Sequence, residues 1–148
     1  MLTDQQLLRY NRQLLVNDFD VAGQERLLRS TVLVVGLGGL GCPAALYLAA
    51  AGVGKLLLAD GDAVELSNLQ RQIAHSDADI GHNKAVSAAA AIAELNPGAA
   101  TEVLACELQG TELTRQVTRA DLVIDATDNY PTRFALNRAR LPIRSRRK

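Results

Sequence analysis

A β-branched apolar run, Thr31-Val-Leu-Val-Val, passes directly into Gly36-Leu-Gly38-Gly39-Leu-Gly41 and from there into small helix formers that end at Ala51. This succession constrains the chain more than any other feature. The apolar run suits a strand covered on both faces, as in a parallel sheet. From Gly39 to Ala51 the period changes to that of a helix, with Gly52 and Gly54 as its stop. In a turn between strand and helix, Gly36 permits the tight reversal, Gly38 lets backbone approach a phosphate, and Gly41 allows the helix to pack closely on the strand. The helix start adds free N–H groups and a positive dipole end, so the segment predicts a site for a phosphorylated ligand.

The rest of the chain repeats the alternation. Thr3 and Gln6 form a capping-box pattern ahead of a first helix to about Val16, and Ala22 to Arg29 reads as a second, short amphipathic helix. Lys55 to Asp60 predicts a second buried strand. An alanine-rich helix from about Asn83 to Leu95 is stopped by Asn96-Pro97-Gly98. Thr101 to Cys106 predicts a third strand, residues 111–118 a helix, Asp121 to Asp125 a fourth strand, and Pro131 the first turn of a final helix. Strands alternating with helices imply right-handed crossovers. The expected class is α/β: a Rossmann-like parallel sheet with helices on both faces, preceded by N-terminal helices.

The chemistry-bearing residues fall where those strands end. Asp60 lies 24 residues after Gly36, at the close of the second strand, where a carboxylate accepts hydrogen bonds from ribose hydroxyls. Glycine motif and acid together indicate a nucleotide without deciding between NAD and ATP. Lys84 sits in the first turn of its helix, where a cation opposes the macrodipole unless an anion binds nearby. Arg71 is a second cation expected at the same edge. Asp128, directly after the fourth strand, would repel phosphates unless it held a metal ion, and Mg²⁺ typically takes one or two carboxylates plus phosphate oxygens. That set fits a triphosphate better than a pyrophosphate bridge. Each residue also has a plain reading: Arg71 and Lys84 as solvated charges, Asp60 as an acid in a turn, Asp128 as a helix N-cap. His75 and His82 read as surface or loop residues. Cys42 and Cys106 read as small packing residues, the usual fate of unpaired cysteine.

The segments RYNRQLL, VLVVGLGGLGCPAALYLAAAGVG, LLLADGDAVELSNLQRQ, IGHNKA and DLVIDATDNYPTRFALN resemble the ThiF/MoeB/HesA family of adenylyltransferases, relatives of the ubiquitin-activating enzymes. The likeness runs from about Leu7 to Asn137. It implies ATP-dependent activation of the C-terminal glycine carboxylate of a ubiquitin-like sulfur-carrier protein of molybdopterin or thiamine biosynthesis. By that likeness Gly36, Gly38, Gly39 and Gly41 form the nucleotide loop, with Gly39 against the phosphates, and Asp60 holds the ribose. Ser67, Asn68, Leu69, Gln70 and Arg71 supply phosphate and nucleotide contacts. Lys84 neutralises charge as pyrophosphate departs, and Asp128 binds Mg²⁺ with Asn129 beside it. Arg12 reaches into the partner subunit's site, which implies a homodimer. Arg12, Arg71, Lys84 and Asp128 are thus the implied catalytic set.

Members of that family continue past Asn137 with further strands and often two CxxC pairs for zinc. The pattern stops here at residue 139, so residues 1–139 are expected to form a truncated nucleotide-binding domain with impaired adenylation, and 140–148 a basic tail outside the family pattern. With only two cysteines, far apart, no zinc is expected. A non-catalytic nucleotide-binding remnant and an NAD-dependent oxidoreductase are the alternative readings. Charge excludes a strongly basic nucleic-acid binder: 16 Lys and Arg balance 16 Asp and Glu. Arg140 to Lys148 hold five of the cations and no acid, leaving an acidic body. No apolar run of about 18 residues and no leader pattern occur, so a cytoplasmic protein with no membrane or nucleic-acid partner is expected.

Overall fold

The computed structural model describes residues 1–144. Two short N-terminal helices, α1 (Asp4–Arg9) and α2 (Asn11–Leu14), lead to α3 (Asp20–Arg29). Strand and helix then alternate as β1 (Thr31–Val35), α4 (Gly41–Ala51), β2 (Lys55–Ala59), α5 (Lys84–Leu95), β3 (Ala100–Leu104), α6 (Gly110–Arg119), β4 (Leu122–Asp125) and α7 (Tyr130–Arg144). The four strands form one sheet in the order β3-β2-β1-β4, and every neighbouring pair is parallel. The class is the expected one, a Rossmann-like parallel sheet with helices on both faces.

Strand alternation sorts the core. Val32, Val34, Leu56 and Leu58 face one side, where Cys42, Ala45 and Ala49 of α4 and Ala85, Ala88 and Ile92 of α5 cover them. Leu33, Val35, Leu57 and Ala59 face the other, against Leu113 and Val117 of α6 and Leu136 of α7. The small residues let α4 and α5 lie close to the sheet, so β1 and β2 are sealed on both faces, as their unbroken apolar sequences require. The chain reverses strand order between β1 and β4, and loops at the carboxyl ends of these strands diverge to leave a crevice there.

The expected single first helix is broken at Tyr10, which leaves helical geometry at φ −103° and ψ 10°. The break turns the ring inward: Tyr10 is 3% exposed, and its hydroxyl accepts from Asn96 Nδ2 at 3.0 Å. Burying one aromatic between α1 and the turn after α5 outweighs continuity of a short surface helix. Gln13 and the fully buried Gln24 both donate to Ala51 O, satisfying a carbonyl at the C-terminal end of α4. Boundaries elsewhere differ from the expectation by one or two residues. Helix α4 starts at Gly41 rather than Gly39, and β3 ends at Leu104 rather than Cys106. Helix α7 continues through residue 144 into the basic tail; residues 145–148 of that tail lie outside the described residues.

Candidate functional site

A cavity of about 740 Å³ opens at the carboxyl edge of the sheet. It is bounded by the β1–α4 glycine loop, the ends of β2 and β4, the segment 68–72 and the first turns of α5 and α7. Its size is that of a site for a nucleotide-sized ligand.

Among the glycines, the roles divide by space. Gly36 has φ +87°, and a Cβ there would stand 2.8 Å from Ala126 O. At Gly41 a Cβ would fall 1.8 Å from Gly36 O, so this residue fixes the approach of α4 to β1 and does not line the cavity. Gly38 and Gly39 do line it, and a Cβ at either would make only ordinary contacts, 3.7 Å from Gln72 Nε2 and 3.6 Å from Arg71 Cδ. Because α4 begins only at Gly41, residues 38–40 keep their N–H groups out of the helix ladder.

Asp60 lines the cavity and binds the loop as well: its Oδ2 accepts from Leu37 N–H at 2.6 Å and its Oδ1 from Asp62 N–H at 2.8 Å. A carboxylate has about four acceptor positions, so capacity remains for a ligand hydroxyl. Lys84 opens α5 and is 8% exposed, with Nζ donating to Asp62 Oδ2 at 3.0 Å. Asn83 caps this helix and fixes it to the end of β2 by donating to Asp60 O at 2.9 Å and Asp62 O at 3.2 Å. Arg71 is exposed in the cavity wall and donates to Ser67 O at 3.0 Å.

Asp128 and Asn129 both line the cavity. Asn129, rather than Asp128, caps α7: its Oδ1 accepts from Thr132 N–H at 2.9 Å. The exposed Asp128 carboxylate has no hydrogen-bond partner among the described residues. The buried Asn68 lines the cavity, whereas Ser67, Leu69 and Gln70 do not, and the Ser67 hydroxyl donates to Glu65 Oε2 at 3.2 Å. Arg12 is exposed on α2 and stands apart from the cavity; its neighbour Gln13 is bound at the C-terminal end of α4, the end opposite the glycine loop. Among the described residues no group of three or more His, Cys, Asp and Glu side chains could hold a metal ion.

Asp62, Gln72 and Arg133 join the cavity without having been singled out in the sequence. Arg133 lies one helical turn beyond the Asn129 cap, and its Nε and Nη2 donate to Thr127 O at 3.1 and 2.6 Å. The i, i+4 spacing from Asn129 was the available signal for it. Gln72 is 4% exposed, and its Oε1 is buried with no partner among the described residues.

Three side chains correct or sharpen the sequence reading. His75 is not a surface residue: it is 7% exposed beneath the glycine loop, with Nδ1 at 2.8 Å from Ser87 Oγ and Nε2 at 3.2 Å from Leu37 O. Cys106 is not a core residue, because β3 stops at Leu104 and leaves its thiol exposed at the cavity wall. Cys42 is fully buried, as expected, and burial pushes its thiol up to about 11.

Residues 10–142 match the ThiF family. The chain is 52% identical to molybdopterin-synthase adenylyltransferase of Escherichia coli (strain K12) over 136 residues, which is 92% of this chain and 55% of that protein. It is 49% identical to the sulfur carrier protein ThiS adenylyltransferase of the same strain over 138 residues, 93% of this chain and 55% of that one. Among solved structures, E. coli tRNA N6-threonylcarbamoyladenosine dehydratase, TcdA, in complex with ATP superimposes with a TM-score of 0.89 at 26% identity, over 97% of this chain and 59% of that one. The chain therefore spans a little over half the length of these relatives. With the family pattern matched over most of its residues and the expected loop, acid and lysine gathered at one sheet edge, this chain belongs to the ThiF family.

Proposed function

We propose that the chain is the nucleotide-handling part of an ATP-dependent adenylyltransferase whose substrate is the C-terminal carboxylate of a ubiquitin-like sulfur-carrier protein. The observation that carries this reading is the meeting of Gly38 and Gly39 with Lys84, Arg71 and Asp60 in one cavity. The names of the similar adenylyltransferases and the ATP complex of the structural neighbour point the same way.

In this reading a carboxylate oxygen attacks the α-phosphorus, the bond from phosphorus to the bridging oxygen breaks, and pyrophosphate leaves with that electron pair. An acyl-adenylate results. Displacement between anions is a problem of positioning and charge neutralisation, so no dedicated base is required. Asp60 accepts from the ribose, the loop N–H groups face the phosphates, and Lys84, Arg71 and Arg133 offset charge on the leaving pyrophosphate. The donor set fits Mg²⁺ arriving with the nucleotide rather than a resident ion: Asp128 offers one unpaired carboxylate and the phosphates offer the remaining oxygens. Mg²⁺ held there would neutralise phosphate charge. The exposed Arg12, far from its own cavity, acts across a homodimer in this reading, and the enzyme works in the cytoplasm.

The test is exchange of labelled pyrophosphate into ATP in the presence of a sulfur-carrier protein ending in Gly-Gly. Carrier-dependent exchange that Lys84→Ala abolishes, and that returns on mixing Arg12→Ala with Lys84→Ala chains, supports the proposal. Tight NAD binding that ATP does not displace contradicts it.

A further inference from the structure

The glycine loop is held from below by a residue outside the nucleotide motifs. His75 Nε2 lies 3.2 Å from Leu37 O, and the Cys42 thiol donates to the same oxygen at 3.0 Å. With the ring proton placed on Nε2, which also lies 3.4 Å from Cys42 Sγ, the neutral ring donates to the Leu37 carbonyl and Nδ1 accepts from the Ser87 hydroxyl, 2.8 Å away on α5. His75, Cys42 and Leu37 are 7%, 0% and 0% exposed, so both donors to this carbonyl are shielded from water. The thiol, pushed up to about 11 by burial, stays protonated at neutral pH and keeps its role as donor.

The peptide joining Leu37 to Gly38 is trans, like every other in the described chain. In a trans peptide the C=O and the following N–H point in opposite directions. A Leu37 carbonyl drawn inward by His75 and Cys42 therefore sends the Gly38 N–H outward, on the side where Gly38 lines the cavity. Among the described residues that N–H meets no acceptor. The other end of Leu37 is fixed as well, its N–H donated to Asp60 Oδ2 at 2.6 Å. With glycine following, the peptide plane would otherwise turn over at little steric cost.

We infer that His75 is a positioning residue for nucleoside triphosphate binding: through the Leu37 carbonyl it holds the Gly38 N–H aimed at a ligand phosphate. This rests on the functional reading above. It separates the two halves of the ligand, since an amide aimed at phosphate is felt by ATP and not by adenosine.

Calorimetry on the full chain with MgATP and, separately, with adenosine tests it. His75→Phe keeps a ring in the space but removes the donor; His75→Gln returns an N–H at similar reach. The expected result is a Kd for MgATP raised about tenfold in His75→Phe, the equivalent of about 1.4 kcal/mol, with the adenosine Kd unchanged and His75→Gln within about twofold of wild type. Equal weakening of both ligands, or no weakening of either, overturns the inference while leaving the nucleotide site standing. Should His75→Phe fail to fold, Cys42→Ala removes the second donor on the same oxygen. It is expected to weaken MgATP selectively, and unchanged MgATP affinity there counts against the inference. A wild-type chain that is folded yet binds no MgATP overturns the functional reading, and this inference with it.

Discussion

Lys84 and Asp62 form an ion pair at 3.0 Å in which only one member is withdrawn from water: the Lys84 side chain is 10% exposed and that of Asp62 76%. The asymmetry separates stability from function. Removing the lysine leaves a carboxylate that water can solvate, so Lys84→Met is expected to cost less than about 1 kcal/mol of stability. Asp62→Ala leaves a shielded ammonium without its partner and is expected to cost more, about 1–3 kcal/mol. On the proposed function activity is expected to take the opposite order, with Lys84→Met lowering adenylate formation about hundredfold or more. Denaturant unfolding alongside pyrophosphate exchange checks both, and a Lys84 variant as unstable as the Asp62 variant contradicts the assignment.

The glycines of the loop are expected to separate in the same way. Gly41→Ala places a Cβ 1.8 Å from Gly36 O, a backbone atom that cannot swing aside, and should cost about 3 kcal/mol or more. Gly39→Ala meets only Arg71 Cγ and Cδ at 3.6 Å and should change stability by about 0.5 kcal/mol at most. On the proposed reading its effect is expected on ATP affinity, because the new methyl would occupy space beside the phosphates. Thermal melts and ATP titrations of the two variants decide this; equal stabilities rule it out.

These contrasts show what could be read before the structure. The apolar runs at Thr31 and Lys55 fixed the buried strands, and the turn between β1 and α4 could be placed because only glycine suits Gly36 and Gly41. Lys84 could be located from its helix start alone. His75 could not: it follows the second strand in an irregular segment with no periodicity, and its burial depends on a Leu37 carbonyl that lies 38 positions away. Cys106 falls outside the strand because the end of β3 is set by its pairing with β2, which closes at Ala59 and Leu104. The break at Tyr10 follows from a tertiary partner, Asn96, that local propensity does not reveal.

Outside the cavity, Glu102 ties the edge strand β3 to its neighbours. Its oxygens accept from Arg119 and Lys55 at 2.7 Å. These hydrogen bonds, chiefly Arg119's and then Lys55's, hold its carboxyl at about 2, below the ordinary 4.5. A depressed folded-state value means stability that is present above the ordinary value and lost as pH falls from about 4.5 toward about 2. The wild-type melting temperature should therefore exceed that of Glu102→Gln at neutral pH, and the gap should narrow across that window. A gap independent of pH between 5 and 2 would show that Glu102 acts by packing alone.

The thiols offer a probe that needs no substitution. Cys106 is exposed and Cys42 buried, so iodoacetamide at mild alkaline pH should modify one site in the folded chain and both in denaturant. Because Cys106 borders the cavity, MgATP should slow its modification. Mass spectrometry of the labelled peptides identifies the site; rapid labelling of Cys42 in the folded protein would contradict the packing beneath the loop.

The central claim is that the carboxyl edge of this sheet receives a nucleoside triphosphate through the glycine loop and Lys84. Isothermal titration of the folded, full chain with MgATP tests it most directly. Saturable heat with one nucleotide per chain is expected, weakened about tenfold or more by Lys84→Met. A folded chain that gives no heat with MgATP, or one whose affinity is indifferent to that substitution, contradicts it.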